Sequence, residues 1–349
     1  MNETKLYLDK DANLLELDEK VIAVIGYGNQ GRSQALNMRD TIHNKKLNVD
    51  IIIGNREDDY KYKAEKDEFK VYGISEACEK ADIMFLLLPD EILPIVYNEN
   101  IKSHLKEGDV LDFASGYCVT YHRIEVPKNI DVIMVAPRMG GKEVRELYEN
   151  GEGFPSLFAV GQDASGKAKK VALAMASAIG SGRGGASISI EVTFEQETLS
   201  DLLTEQFLCP IISAAWVVKY EIDVENGVPP EAALMELHLS GEFAEDFKRM
   251  AEMGMTKQLP LHSPTSQYGQ LTRGHEIMNR EFGLSYKQIK TYAQEKVDEI
   301  KSGKFAREWE LESQSGYKVL KKMYEESENS PMIKEEQKLL RKLGKVNEQ

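Results

Sequence analysis

The chain has 349 residues, more than one hydrophobic core usually holds, and therefore predicts about two domains. Its formal net charge of -14 argues against a nucleic-acid surface, and no run of about 18 uncharged apolar residues predicts a membrane span. The charged N-terminal segment lacks the apolar centre of a signal peptide, so we expect a cytoplasmic protein. Cys78, Cys118 and Cys209 are widely spaced and odd in number, which favours reduced, incidental thiols.

The segment VIAVIGYGNQG, residues 21–31, carries the first functional signature. Its β-branched run predicts a buried parallel strand, and residues 30–39 predict an amphipathic helix. At the junction, Gly26 allows a tight turn, Gly28 lets a pyrophosphate approach the backbone, and Gly31 lets the helix pack on the strand. We therefore expect a dinucleotide site. The predicted cofactor-binding residues here are Gly26, Tyr27, Gly28, Asn29, Gln30 and Gly31.

Further strands alternate with helical patterns along the first half of the chain. The predicted strands are 49–53, 83–88, 110–114, 132–135 and 157–160, followed by an alanine-rich helix over 165–179. This alternation predicts an α/β fold with a doubly wound, Rossmann-type sheet. The glycine-rich segment 181–186 marks the expected seam. The predicted domains are therefore a dinucleotide-binding domain (1–187), a helical metal, substrate and dimerisation domain (188–330) and a charged tail (331–349).

The second half of the chain is predicted to be helical. Apolar residues recur at spacings of three and four in four segments, which start near Glu195, Pro230, Ser285 and Ser315. The apolar stretch 207–218 contains Pro210 and predicts either a kinked core helix or a buried interface. We expect the tail to form a surface helix followed by frayed residues.

Carboxylates in this helical half suggest a metal site. Asp201 and Glu205 are four residues apart, so a helix would place them on one face, where a hard cation such as Mg²⁺ offsets their repulsion. Glu195 and Glu197 lie nearby but are expected at other angles on the helix. Glu236 lies in an otherwise apolar stretch, where a charge is costly unless it is paired or metal-bound. The alternative interpretation is a solvated acidic face.

Several long segments resemble the ketol-acid reductoisomerase family in its short bacterial and archaeal form. They occur in the family's order and include IGYGNQGRSQALNMRD, DVIMVAPR, AVGQDASGKA, VTFEQETLSDLLTEQ and EIKSGKFAREWELESQSG. The resemblance implies a Rossmann domain followed by a knotted helical domain that pairs between subunits, hence a homodimer or higher homo-oligomer with shared active sites. It implies a reaction in which Mg²⁺ promotes alkyl migration in an acetohydroxy acid and a nicotinamide then delivers hydride.

The resemblance also assigns site residues by position. Asp201 matches the aspartate that bridges two Mg²⁺ ions, Glu205 completes the first ion's site, and Glu236 matches a glutamate that the partner subunit contributes. Ser263 matches the serine that contacts substrate. One or two Mg²⁺ ions are expected, because the family's second glutamate is replaced by Ser240.

Further departures fall in the isomerase machinery. The family's histidine is replaced by Ser115 and its lysine by Arg138, and Gly161 stands where another histidine is usual. Glu242 lies six residues past Glu236, about 240° round a continuous α-helix, and is not expected to substitute for the missing glutamate. Serine supplies no imidazolium, and a guanidinium does not readily donate its proton.

These departures leave three functional hypotheses. The first is a divergent ketol-acid reductoisomerase of branched-chain amino acid biosynthesis, with Ser115 and Arg138 in its catalytic site. The second is a paralogue that reduces a 2-keto acid, such as ketopantoate, without isomerase activity. The third is a dinucleotide-binding protein without catalytic activity, which would bind cofactor but turn over no keto acid.

The loop after the second strand bears on the choice of nicotinamide. NADP-preferring members of the family carry an arginine and serines here, and this chain keeps Arg56 but has Asp58 and Asp59 in place of the serines. Aspartates can bind ribose hydroxyls and repel a 2'-phosphate, so we expect NADH to be preferred over NADPH. Pro89, in the LLLPDE segment, is a further expected cofactor contact.

Overall fold

The computed structural model describes residues 5–184, 188–281 and 283–342. The chain divides into two compact units, Met1–Ser200 and Asp201–Gln349. Residues 185–187, which include the end of the expected seam and the predicted domain boundary, lie outside the described residues. The domain limits at residues 187 and 330 therefore stay predictions.

The first unit contains a nine-stranded sheet. Its strands are β1 (Leu6–Tyr7), β2 (Val21–Ile25), β3 (Asp50–Gly54), β4 (Lys70–Tyr72), β5 (Ile83–Leu86), β6 (Val110–Phe113), β7 (Asp131–Pro137), β8 (Ser156–Gln162) and β9 (Ser189–Glu191). Their order in the sheet is β1-β9-β8-β7-β6-β5-β2-β3-β4. The block from β4 to β7 is parallel, whereas β8 pairs antiparallel with β7 and β1 pairs antiparallel with β9. The predicted α/β fold with a parallel core is confirmed.

Eight helices surround this sheet among the described residues. They are α1 (Asn29–Lys45), α2 (Asp59–Lys66), α3 (Ile74–Lys80), α4 (Leu93–Val96), α5 (Tyr117–Thr120), α6 (Gly141–Glu149), α7 (Ala168–Ile179) and α8 (Phe194–Leu203). Strands β2, β5, β6 and β7 are buried on both faces except at the first residue of β2, as the apolar runs require. Because these strands are parallel, their carboxyl ends meet at one edge of the sheet, where the candidate site residues follow.

The second unit is helical throughout its regular structure. Its helices are α9 (Cys209–Glu225), α10 (Pro230–Leu234), α11 (Glu242–Met253), α12 (Pro264–Asn279), α13 (Tyr286–Lys301), α14 (Lys304–Gln314), α15 (Lys318–Glu328) and α16 (Pro331–Lys342). Two π-helical segments, Thr204–Leu208 and Met235–Leu239, precede α9 and follow α10. No helix among the described residues is long and apolar enough to span a membrane.

The structure bears out one predicted helix of the second unit and corrects another. The helix expected near Ser315 is α15, which begins at Lys318 after Gly316 and Tyr317 adopt a left-handed turn at the end of α14. The stretch 207–218 is not a core helix, because Val217 and Val218 are exposed and Pro210 lies in the first turn of α9. The predicted tail helix does form, as α16, and Met332 at its start is buried.

One fully buried carboxyl, Asp112 in β6, carries a testable prediction. Asp112 is 0% exposed, and among the described residues no hydrogen bond of normal geometry reaches either of its oxygens. Burial raises the pKa of Asp112 well above its ordinary value. The folded protein therefore keeps this proton to a higher pH than the unfolded chain does, and wild-type stability falls as pH rises from the unfolded pKa toward the folded one.

We expect Asp112→Asn to raise the free energy of unfolding, because the amide has a similar shape and does not titrate. The gain over wild type widens, by up to about 1.4 kcal/mol per pH unit, as pH rises from about 4, the ordinary pKa of an aspartate, toward the raised folded pKa. Urea unfolding across that range measures it. Asp131→Asn is the matched control: Asp131 is 2% exposed but accepts hydrogen bonds from the Ala164 and Ser165 N–H groups, so its replacement costs stability. A gain that does not vary with pH contradicts the prediction.

Candidate active site

The glycine turn between β2 and α1 has the geometry that its spacing predicts. Gly26 has φ +96°, and a Cβ there would lie 2.6 Å from the Leu87 carbonyl oxygen. A Cβ at Gly31 would lie 2.1 Å from the Gly26 carbonyl oxygen. A Cβ at Gly28 would meet no atom within 4 Å. Two glycines are therefore required by the close approach of the backbone, and the third faces open space that fits a pyrophosphate.

The side chains of this turn are used in different ways. Tyr27 is 1% exposed, and its hydroxyl donates to Asp67 Oδ2 at 3.0 Å. Gln30 Nε2 donates to the Met139 carbonyl at 2.9 Å, whereas Asn29 is exposed. A cofactor at this turn would meet the backbone of residues 26–31 and the side chain of Asn29, since Tyr27 and Gln30 point into the protein.

The loop after β7 lies directly against the glycine turn. A Cβ at Gly141, the first residue of α6, would lie 2.4 Å from the Asn29 carbonyl oxygen. Gln30 contacts the same loop at Met139. Arg138 directly follows β7 and lies three residues before Gly141, where α6 contacts the glycine turn. Pro89, which follows β5, is exposed, and its carbonyl accepts the N–H groups of Ile92 and Leu93.

A buried glutamate joins the loops that follow β6 and β7. The Glu197 side chain is 1% exposed and lies in α8. Its Oε2 accepts the Gly116 N–H at 2.8 Å, and its Oε1 pairs with Arg138 Nη1 at 3.1 Å. Gly116 directly follows Ser115, and Arg138 is itself one of the residues that differ from the motifs of the family that the chain resembles. Glu197 thereby fixes the cation of one loop and the backbone of the other.

The expectation that Glu197 lies at another angle from Asp201 is wrong. The two residues are four apart in α8, so they lie on one face about one turn apart. The sequence did contain this signal, because Phe194, Glu197 and Thr198 have the spacing of a buried helix face, and all three are buried. Glu195, in contrast, is exposed. A glutamate on a buried helix face is expected to be paired, because charged residues are rarely buried without a partner.

The first turn of α8 packs so closely that it explains two glycines. A Cβ at Gly116 would lie 2.4 Å from the Phe194 carbonyl oxygen, and a Cβ at Gly161 would lie 2.9 Å from the Phe194 ring. Thr198 Oγ1 donates to the Phe194 carbonyl and lies 3.0 Å from Thr120 Oγ1. The Phe194 ring therefore leaves no room for a side chain at position 161, where the family usually has histidine.

Ser115 and Arg138 offer polar groups at this edge of the sheet. Ser115 Oγ accepts the Tyr117 N–H at 3.2 Å, which leaves its own proton available for donation. The Arg138 side chain is 31% exposed although its counterion is buried. The arrangement presents an oriented guanidinium and a hydroxyl donor, which can bind and polarise a carboxylate or a ketone.

The predicted metal ligands lie on less regular backbone than expected. Asp201 is half-buried in α8, but Glu205 lies in the π-helical segment Thr204–Leu208 and is exposed. Glu236 lies in the other π-helical segment and is exposed, so the premise that its charge is buried is wrong. Within the described residues of one chain, no group of three or more His, Cys, Asp or Glu side chains could hold a metal.

The helix that carries Glu236 ends before Glu242. Ser240 follows the π-helical segment, Gly241 has φ +83°, and α11 begins at Glu242. The angular comparison of Glu236 with Glu242 is therefore wrong in its premise of one continuous α-helix. Ser240 Oγ accepts the Glu242 N–H at 3.3 Å. Ser263 similarly caps α12, where its side chain accepts the Ser266 N–H.

In the loop after β3, Asp58 is the N-cap of α2. Its Oδ1 accepts the Tyr60 N–H and the Asn55 amide, and its Oδ2 pairs with Arg56 Nε at 2.8 Å. Burial favours the protonated form, but the hydrogen bonds from Arg56 and Asn55 outweigh it and lower the pKa of Asp58. Asp59 is exposed at the first position of α2. The ionised Asp58 thus neutralises the arginine that this loop retains.

Comparison with known proteins places this architecture in a family. Residues 16–185 match the acetohydroxy acid isomeroreductase NADPH-binding domain, and residues 194–344 match the ketol-acid reductoisomerase C-terminal domain. A Methanopyrus kandleri protein named ketol-acid reductoisomerase (NADP(+)) is 41% identical over 97% of this chain and 98% of its own length. A Pyrobaculum aerophilum protein of the same name is 42% identical over 95% of this chain and 96% of its own length.

A solved structure supports the same relationship. An NADH-preferring ketol-acid reductoisomerase from an uncultured archaeon is 34% identical and superposes with a TM-score of 0.86. The alignment covers 99% of this chain and all of that one. Both halves of the chain therefore have the same relatives, in sequence and in fold. The chain belongs to the ketol-acid reductoisomerase family.

Proposed function

We propose that this chain is an NADH-preferring, Mg²⁺-dependent ketol-acid reductoisomerase that acts on acetohydroxy acids. The observation that carries the proposal is the pair of contacts that Glu197 makes with the Arg138 guanidinium and the Gly116 N–H. Glu197 lies in α8, one helical turn before Asp201. A cation and a hydroxyl donor then face the edge of the sheet where the nicotinamide of a dinucleotide would lie.

The chain's own residues have distinct roles in this proposal. Arg138 binds the developing negative charge on the ketone oxygen during hydride transfer, and Glu197 keeps the guanidinium in place. Ser115 donates its hydroxyl proton in a hydrogen bond to the substrate. Because a guanidinium holds its proton, water or Ser115 must supply the proton that the alkoxide finally takes.

Mg²⁺ fits the donors at the proposed metal site. Asp201, Glu205 and Glu236 provide only carboxylate oxygens, which a hard cation prefers, and the three do not form a metal-sized group within the described residues of one chain. We therefore assign Glu236 to the site of a second copy. Bound Mg²⁺ would supply Lewis-acid polarisation of the substrate oxygens.

A homo-oligomer is supported by the surface of the second unit. Many of its large apolar side chains are exposed, which is costly in an isolated monomer and typical of an interface. They include Val218, Ile222, Phe247, Tyr268, Leu271 and Met278. Sedimentation of the purified protein should give a species of at least two chains.

Metal removal tests the proposed reaction. We expect EDTA to abolish NADH oxidation with 2-acetolactate, and added Mg²⁺ to restore it. Asp201→Asn should remain inactive at saturating Mg²⁺, because it removes the proposed bridging charge. Glu195→Gln is the control, since Glu195 is exposed in the same helix. Full 2-acetolactate turnover in EDTA contradicts the proposal.

The Asp58–Arg56 pair supports the preference for NADH. A 2'-phosphate needs a cation, and Arg56 is paired with a carboxylate that also repels phosphate. We expect Asp58→Ser to raise the ratio of kcat/KM for NADPH to that for NADH about 10-fold or more, since hydrogen bonds to charged groups contribute about 1.5–3 kcal/mol. Serine can still cap α2.

The control for this prediction is Asp59→Ser. Asp59 is adjacent and equally negative, but the cap and the Arg56 pair belong to Asp58. We expect a smaller change in the cofactor ratio from Asp59→Ser and an additive one from the double variant. An unchanged ratio in Asp58→Ser and in the double variant contradicts the role of this loop.

A second candidate function is favoured by Ser240. This residue stands where the family has a metal-ligating glutamate, and its hydroxyl accepts the N–H of Glu242, the first residue of α11. With one fewer carboxylate, the chain would keep hydride transfer to a 2-keto acid and lose alkyl migration. The two candidates differ in whether the protein turns over 2-acetolactate, which requires alkyl migration before reduction.

A further inference from the structure

Asp67 connects three elements around the glycine turn. It follows α2, and its Oδ2 accepts the Tyr27 hydroxyl at 3.0 Å. Arg32, in the first turn of α1, donates through Nε to Oδ2 at 2.6 Å and through Nη2 to Oδ1 at 3.0 Å. The Arg39 guanidinium donates to the Asp67 carbonyl oxygen. One residue therefore holds the turn, helix α1 and the end of α2.

Packing makes this connection rigid. The ring of Tyr27 meets Phe69 edge to face at 5.8 Å, and the Arg39 guanidinium lies 4.6 Å from the centre of the Phe69 ring. Tyr27 is 1% exposed and Phe69 is buried. Since Tyr27 lies between Gly26 and Gly28, the position of its side chain restricts the peptide groups that join it to these two glycines.

The protonation states suit a permanent connection. The two hydrogen bonds from Arg32 lower the pKa of Asp67, so its carboxylate is ionised at neutral pH. Burial and the contact with Asp67 raise the pKa of Tyr27 above its ordinary range, so its hydroxyl keeps the proton that it donates. This network needs no change of protonation between pH 5 and pH 9.

We propose that Asp67 is a positioning residue for dinucleotide binding. It holds the glycine turn at a fixed distance from the loop after β3, which carries Arg56 and Asp58 and leads into α2. Asp67 ends the helix that Asp58 begins. Asp67 therefore fixes the position of the glycine turn relative to the loop after β3. One bound dinucleotide would have to contact both. This role concerns binding of the nicotinamide dinucleotide and applies whichever keto acid is reduced.

The opposite effect is physically possible, which makes the test sharp. Arg32 lies at the amino end of α1, close to the glycine turn, and its positive charge is neutralised by the ion pair with Asp67. If Asp67 acted only by neutralising Arg32, its removal would release a cation toward the pyrophosphate and tighten binding. If Asp67 positions the turn, its removal weakens binding.

The experiment is dinucleotide binding to the full-length protein without substrate, measured by calorimetry. We expect Asp67→Asn to raise the Kd of NADH and of NADPH by about 10-fold each, with their ratio unchanged, because the turn is common to both. In turnover, the cofactor KM should rise while kcat changes less than twofold. Unchanged or tighter binding overturns the proposal, as does a change in the ratio alone.

Two further variants separate positioning from loss of fold. Asp50→Asn removes an exposed ion pair with Lys70 in the same unit and should leave Kd unchanged. Tyr27→Phe keeps the ring against Phe69 but removes the hydroxyl that binds Asp67, so it should weaken binding less than Asp67→Asn. The double variant should add nothing to Asp67→Asn. Additive effects, or a lower Tm with an unchanged Kd, refute the proposal. Failure of wild type to bind NADH would instead refute the proposed cofactor.

Discussion

Glu197→Gln is expected to lower kcat/KM with the acetohydroxy acid about 100-fold while NADH still binds. Both partners of this carboxylate are donors, the Gly116 N–H and the Arg138 guanidinium. A glutamine amide has one acceptor oxygen and would turn its NH₂ toward one of these donors. The guanidinium then loses its buried counterion and moves, and misplacement of a catalytic group by about 1 Å costs about this factor in rate.

Stability responds to the same replacement. Breaking a buried pair by removing one charge costs about 3–5 kcal/mol, so we expect a lower unfolding midpoint in urea. Activity is therefore measured per folded molecule, at a temperature where circular dichroism shows wild-type structure. Glu195→Gln, which changes an exposed carboxylate two residues earlier, should behave as wild type. A wild-type kcat/KM in Glu197→Gln would show that the contacts of Glu197 with Arg138 and Gly116 play no part in catalysis.

The second large effect concerns the glycine turn, where two substitutions of equal size should fail for different reasons. Gly31→Ala places a Cβ 2.1 Å from the Gly26 carbonyl oxygen, so the turn must distort and stability falls. Gly28→Ala meets no protein atom within 4 Å and should fold normally. Its methyl group would nevertheless occupy the space that the pyrophosphate needs. We expect each variant to bind NADH at least about 100-fold more weakly.

Thermal unfolding and NADH binding, measured side by side, separate the two cases. Gly28→Ala should keep the wild-type Tm without cofactor and lose the rise in Tm that NADH produces in wild type. Gly31→Ala should have a lower Tm from the start. NADH stabilisation of Gly28→Ala to the same extent as wild type would show that the dinucleotide lies elsewhere.

The fold was predictable because its signals are local. The runs before Gly26 and around residues 83–86 are apolar on both strand faces, and a glycine triplet follows the first of them. The short strands β1, β4 and β9 have two or three residues each, too few for a periodicity to be recognised. Their pairing depends on the rest of the sheet.

The candidate site was predictable in its parts and not in its connections. The partners of Glu197 were missed because Gly116 and Arg138 lie 81 and 59 residues away from it in the sequence. The angular comparison of Glu236 with Glu242 was wrong because it assumed one continuous α-helix, whereas the segment that carries Glu236 is π-helical and ends before Gly241. The role of Asp58 as a cap was missed because the same side chain also fits a ribose contact.

The departures from the family have local physical reasons. Gly161 accommodates the Phe194 ring, and Arg138 has a buried carboxylate that matches its charge. The Ser240 hydroxyl accepts the N–H of Glu242, where the next helix begins. Each of these three residues makes or permits a specific contact with its neighbours in this chain.

The central claim is tested most directly by offering three substrates separately to the purified protein with Mg²⁺ and NADH. They are 2-acetolactate, 3-hydroxy-3-methyl-2-ketobutyrate and ketopantoate. The first requires methyl migration before reduction, the second is the migrated ketone, and the third is a 2-keto acid that needs no migration. We expect NADH oxidation with 2-acetolactate and with the migrated ketone. Oxidation with the migrated ketone and ketopantoate, but none with 2-acetolactate, would contradict a reductoisomerase and identify a 2-keto acid reductase.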